Sequence, residues 1–118
     1  MINRQHHTTQ IPQLVGKECE ELIGIGNSIQ EGIYLFFIKL SGDYYRFFID
    51  EGVLFWDEAT KEDLDEEDGY LDLLLYYKTK LGKIQNISME NSSLTIEGEQ
   101  IQFLFKNNNG LTFIEYIA

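Results

Sequence analysis

The chain offers carboxylates before any other chemistry: twenty Asp and Glu stand against nine Lys and Arg in 118 residues. They are concentrated. Asp57 to Asp72 carries nine acids and one lysine, a net −8 out of the chain's −11. A helix–loop–helix calcium site needs glycine at loop position six and oxygen ligands at one, three, five and twelve. Placing Gly69 in that role puts Leu64 first and Leu75 last, so the spacing fails. A looser divalent site among Asp63, Asp65, Glu67 and Asp68 would be generic surface binding, and no spacing singles out two carboxylates for acid–base work. The plain reading of the run is a solvated face, and the functional one is an electrostatic docking site for a basic partner. Its candidates are Asp57, Glu58, Glu62, Asp63, Asp65, Glu66, Glu67 and Asp68.

Other reactive groups are few. Cys19 is the only cysteine, and His6 and His7 are the only histidines, side by side in a polar stretch. A Cys–His nucleophile needs the base oriented by a third group, and the sequence supplies no sign of one. Gly24-Ile25-Gly26 resembles the opening of a phosphate loop, but the third glycine and the following helix are missing. No catalytic residue, metal or cofactor is therefore expected, and the chain does not read as an enzyme.

Composition narrows the class further. A pI near 4.4 disfavours nucleic acid and anionic membranes, because nine cations cannot outweigh twenty anions beside phosphates. Apolar residues at 43% exceed what a disordered acidic tail carries. The length suits one domain over 1–118, with 1–12 expected as a flexible amino-terminal segment. A lone cysteine and the lack of a signal-like or membrane-length apolar run suggest the cytoplasm.

The elements that must position these residues are mostly strands. Ile33–Leu40 and Asp43–Asp50 alternate around Ser41-Gly42, a hairpin turn, and Glu51-Gly52 leads into Val53–Asp57. Glu18–Ile25 adds a further strand. The second half repeats the style in Lys83–Met89, Ser93–Glu97, Gln100–Lys106 and Leu111–Ile117, with Asn109-Gly110 as the strongest turn signal. Val15-Gly16-Lys17 and Leu81-Gly82-Lys83 introduce the two halves as a faint internal echo. Between them, Thr60 and Asp63 have capping-box spacing. The pattern of Tyr70–Leu81, closed by Lys78, Lys80 and Gly82, predicts a helix with Leu71, Leu74, Leu75 and Leu81 as its apolar stripe. The fold class is thus α+β: mainly antiparallel sheet, seven to eight strands in two pseudo-repeated hairpin units, with one helical connector around residues 60–81.

The Ser41-Gly42 hairpin is the most informative stretch. A two-residue turn sets Lys39 opposite Tyr44, Phe37 opposite Arg46, Leu35 opposite Phe48 and Ile33 opposite Asp50. Ile38, Tyr45, Phe36, Phe47, Tyr34 and Ile49 fall on the other face, which must be core. The first face mixes apolar and charged residues, and leaving its Phe and Leu side chains wet would forgo several times ~1.5–3 kcal/mol each. The second β unit, a second copy of the chain or a ligand could cover it. Arg46 needs an acid, with Asp50 or a nearby glutamate as candidate.

Two functions follow. The leading expectation is a non-enzymatic acidic protein–protein interaction module. It would self-associate as a homodimer through Phe37, Lys39, Tyr44, Arg46, Phe48, Asp50 and Trp56, or act like an inhibitor or immunity protein on a basic partner. The alternative is a small-molecule-binding β domain with a pocket lined by Tyr44, Arg46 and Trp56, suited to an anion. A metal-assisted hydrolase using the acidic run is the weakest reading.

Overall fold

The computed structural model describes residues 3–5, 9–51, 53–90 and 92–118. In chain order the strands and helices are β1 (Asn3–Gln5), β2 (Thr9–Gln10), β3 (Glu18–Ile25), β4 (Leu35–Leu40), β5 (Asp43–Asp50), β6 (Val53–Ala59), α1 (Lys61–Asp65), β7 (Tyr70–Asp72), α2 (Leu73–Tyr76), β8 (Gly82–Lys83), β9 (Asn86–Glu90), β10 (Ser93–Glu97), β11 (Gln102–Asn108) and β12 (Leu111–Ile117). They form two antiparallel sheets. The larger runs β1-β6-β5-β4-β3-β7, with β8 on the far end of β3, and the smaller runs β12-β11-β10-β9-β2. The mainly antiparallel α+β class expected from the sequence is the one observed.

Turn chemistry explains the two central hairpins. Ser41 and Gly42 have φ of 48° and 91°, and Asn109 and Gly110 have φ of 55° and 81°. Two successive left-handed residues make the turn whose twist matches the flanking strands. The register then follows: Lys39 faces Tyr44, Phe37 faces Arg46, Ile38 faces Tyr45 and Phe36 faces Phe47, as the two-residue turn requires.

The inner faces of the sheets meet in one core. Phe36 stacks on Phe105 from the opposite sheet at 4.1 Å between ring centroids and on Phe47 at 5.2 Å. Ile38, Tyr45, Ile49, Leu54 and Trp56 join them from the larger sheet, and Ile87, Leu94, Ile96 and Phe103 from the smaller. Tyr34, expected on this face, is exposed because β4 begins only at Leu35. Ile33 turns inward instead and exchanges two backbone hydrogen bonds with Thr112, tying the two sheets together. The echoed segments also touch: Lys83 and Gly82 pair with Glu18 and Cys19, and the Ile84 N–H donates to the Lys17 carbonyl.

The connector departs from the continuous helix expected over Tyr70–Leu81. Tyr70–Asp72 is a strand on the open edge of β3, pairing with Ile23–Ile25. That edge has backbone groups to satisfy, and hydrogen bonds to β3 compete with helix formation there. Asp72 then caps a single turn, its side chain accepting from the Leu75 N–H, and Lys78 at φ 54° ends it. Leu73 and Leu81 are buried, Leu71 and Leu74 half-buried, and Leu75 is exposed, so the stripe is not the one the 3.6-residue period predicts. At the amino terminus, where a flexible segment was expected, Asn3–Gln5 pairs with β6 and Thr9–Gln10 with β9, and Ile11 is fully buried. His6 and His7 lie outside the described residues.

Candidate functional site

The outer face of the larger sheet is where the sequence concentrates its candidates. Its centre is covered by the chain itself. Thr60 and Asp63 form the expected capping box: the Asp63 N–H donates to Thr60 Oγ1 at 3.1 Å, and the Thr60 N–H to Asp63 Oδ2 at 2.8 Å. These bonds start α1, whose one apolar residue, Leu64, is driven onto Phe37, Tyr44, Ile23 and Ile25. Phe37 and Leu64 are each 0% exposed. Phe37 is therefore core, and the expected homodimer interface centred on it is closed by the chain's own acidic helix. One buried leucine is enough here, because only the middle of the face is strongly apolar.

Beyond the helix, Arg46 lies between α1 and an aromatic pair. Its guanidinium grips Asp57 directly across the ladder, Nε donating to Oδ1 at 3.1 Å and Nη2 to Oδ2 at 2.6 Å. The hydrogen bonds that Arg46 donates to Asp57, and the charges of Asp57, Asp63 and Glu67, raise the Arg46 pKa. Asp57, and not Asp50, is thus the partner, and Asp50 is exposed. Two residues along β5, Phe48 stacks on Phe55 of β6 at 4.7 Å with rings 9° from parallel. Phe48 is 36% exposed.

The expected pocket is not assembled. Trp56 pairs with Phe47 on the inner face, with its ring stacked on Phe47, so it is on the opposite side of the sheet from Tyr44 and Arg46. A shallow concavity of about 430 Å³ does lie beside Tyr44, walled by Lys39, Thr60, Lys61, Glu21 and Asp43. Tyr44, Glu21 and Lys39 among its polar groups are already engaged with one another. The Tyr44 hydroxyl donates to Glu21 at 2.7 Å, and Lys39 Nζ sits 3.8 Å from Glu21 and 5.5 Å above the Tyr44 ring. Burial, then the hydrogen bond and charge of Glu21, push the Tyr44 phenol well above its usual range.

The acidic candidates divide in two. Asp57 holds Arg46, Asp63 caps α1 and is held below the usual carboxylate range by the Thr60 bonds, and Asp65 pairs with Lys61 at 3.1 Å. Glu58, Glu62, Glu66 and Asp68 are exposed, and Glu67 is half-buried. Among the described residues, no three His, Cys, Asp or Glu side chains converge as a metal site would require. No helix among them is long and apolar enough to cross a membrane. Burial, reinforced by Glu18 and Glu20, pushes the Cys19 thiol up to about 12, so it is a neutral thiol and a poor nucleophile near neutral pH.

Sequence reasoning missed Phe55, Leu64 and Glu21. The first was readable: once Glu51-Gly52 is taken as a turn, Phe55 falls opposite Phe48 and Trp56 opposite Phe47. The other two come from elements distant in sequence, and no local pattern announces them. Comparison with known protein families, with curated proteins and with solved structures gives no match to this chain.

The Arg46–Asp57 pair yields a first expected result. Arg46→Met leaves Asp57, whose side chain is 13% exposed, without its partner. Breaking a fully buried pair costs about 3–5 kcal/mol, and the partial exposure of Arg46 should reduce this to about 1–2 kcal/mol. Replacing both residues (Arg46→Met with Asp57→Leu) should recover most of the loss. Urea denaturation of the two single variants and the double variant measures the coupling, and strictly additive losses would show the pair to be energetically idle.

Proposed function

We propose that the chain is a non-enzymatic, acidic protein-binding module, of the inhibitor kind, whose outer sheet face receives a basic protein. The single observation that carries this reading is the half-exposed Phe48–Phe55 stack beside Arg46, which in turn abuts the acidic helix. Aromatic side chains supply most of the energy in protein interfaces, while surrounding charges select the partner and speed its arrival. Here the anchor is apolar, and the carboxylates of Glu62, Glu66 and Asp68, exposed and without a salt-bridge partner among the described residues, favour a cationic partner. The ion pairs already made inside the site act as its fixed frame.

The test uses two variants: Glu62→Gln/Glu66→Gln/Asp68→Asn, and Phe48→Ser. A partner captured on the unaltered protein is purified, and its affinity is measured by titration calorimetry at low and physiological salt. The expectation is a basic partner, at least tenfold weaker binding to each variant, and weakening by salt. A partner that binds both variants as tightly as the unaltered chain would refute the reading.

A further inference from the structure

The cover that α1 gives the larger sheet stops short. Leu64 lies on Phe37 and Tyr44, and it takes in Ile25 at the β3 end of the next cross-strand row. The rest of that row is Leu35 on β4, Phe48 on β5 and Phe55 on β6: Leu35 pairs with Ile25, Phe48 pairs with Phe55, and the β4–β5 register sets Leu35 beside Phe48. Phe48 is 36% exposed, and Leu35 and Phe55 are half-buried. Strands lie about 4.8 Å apart, so these three side chains make an apolar floor about 10 Å long, running across the strands.

The floor has no backbone to offer. At this row β4, β5 and β6 each have a paired strand on both sides. An extended segment laid over it would press its own N–H and C=O groups against apolar side chains, unbonded and out of water. A helix bonds those groups internally. Seven residues of helix rise about 10.5 Å, so side chains at i, i+4 and i+7 reach from one end of the floor to the other.

Acids stand on both sides of the row, each about 7 Å away, the length of two strand residues. On the α1 side, the carboxylates of Asp57, Asp63 and Glu67 surround the single guanidinium of Arg46 and exceed it in charge. On the other side, Asp50 follows Phe48 by two residues on the same face, and Asp50 and Glu51 are exposed. A second copy of the chain, carrying −11 itself, is the wrong occupant for such a site.

We infer that the occupant is a helix of the partner, lying across β4, β5 and β6, with apolar residues at i, i+4 and i+7 on Leu35, Phe48 and Phe55 and with lysines or arginines along both flanks. This rests on the reading above that the face receives a basic protein, and adds the partner's backbone form and the two-sided placing of its cations.

Three synthetic peptides of about fourteen residues, long enough to form a helix, test it. All have the same composition of leucine, lysine and alanine. One carries leucines at helical spacing with lysines on both flanks, the second the same leucines with lysines on one flank, and the third alternates leucine and lysine as a strand would. In titration calorimetry at low salt, the two-flank helix should bind at least tenfold more tightly than the alternating peptide. Phe48→Ser should remove that advantage with an unchanged circular-dichroism spectrum. Asp50→Asn should weaken the two-flank peptide several-fold and leave the one-flank peptide, seated against the α1 side, nearly unaffected. Amide shifts on binding should centre on Leu35, Phe48 and Phe55. If the alternating peptide binds as tightly as the helical one and Phe48→Ser weakens both, the helix is refuted while the docking face stands. A two-flank peptide no more sensitive to Asp50→Asn than the one-flank peptide refutes the two-sided placing. If Phe48→Ser weakens none of the peptides, or none of them binds, the docking face falls as well.

Discussion

Phe37→Asp should abolish folding, whereas Phe48→Asp should leave a folded chain of nearly unchanged stability. The two residues lie on one face of adjacent strands in the same hairpin, and only tertiary cover separates them. Phe37 is 0% exposed beneath Leu64. Emptying such a site costs about 3–5 kcal/mol, and a carboxylate there adds the desolvation of a charge whose cross-strand neighbour, Arg46, is already held by Asp57. Together these approach the ~5–15 kcal/mol that holds a whole domain together. Phe48 already meets water, so its replacement should cost about 1 kcal/mol from the lost stack on Phe55. Near-ultraviolet circular dichroism and urea titration read both outcomes. Leu64→Ala is the companion: it should cost about 2–4 kcal/mol. A folded, cooperative Phe37→Asp variant would show that α1 is not the cover described here.

Gly69→Ala should be the most damaging single-methyl change in the connector. Gly69 has φ of 74°, and an added Cβ would fall on the carbonyl oxygen of Gly26, which is backbone and cannot swing aside. The same contact is functional in the fold, since the Gly26 N–H donates to the Gly69 carbonyl at 2.9 Å. Left-handed strain of about 1–2 kcal/mol and overpacking of about 1–3 kcal/mol give a loss near ~3 kcal/mol. For a chain of this size that is a fall of about 10 °C or more in Tm. Gly42→Ala is the control: its φ is also positive, at 91°, but nothing lies within 4 Å of the added methyl. It should cost only the conformational term. Equal losses at Gly42 and Gly69 would remove the close approach from the explanation. Gly24-Ile25-Gly26, which resembles a phosphate loop in sequence, thereby finds a structural use: Gly26 admits Gly69 and the 32–33 backbone at close range.

What the residues announce unaided is local. Two left-handed turn residues at Ser41-Gly42 and at Asn109-Gly110 dictate hairpins, and alternation on either side dictates register and which side chains share a face. The capping of α1 by Thr60 and Asp63 is of the same kind, because its hydrogen bonds span three residues. These interactions are written in adjacent positions, so the antiparallel α+β class and the hairpin pairing could be reasoned without coordinates.

Tertiary structure alone decided what lies against each face. Tyr70–Asp72 is strand because β3 offers it an open edge, although its leucines and flanking charges would serve a helix equally well. Leu64 covers Phe37, and Asp57 in place of Asp50 neutralises Arg46, because strands and helix from separate parts of the chain arrive at the same place. Likewise β12 is an edge only because β11 takes one of its sides and Ile33 just the first part of the other. Hydrophobic burial is non-directional: it demands that greasy surface be covered without naming the cover. The choice of cover depends on how the whole chain closes, and that is information no short window of residues contains.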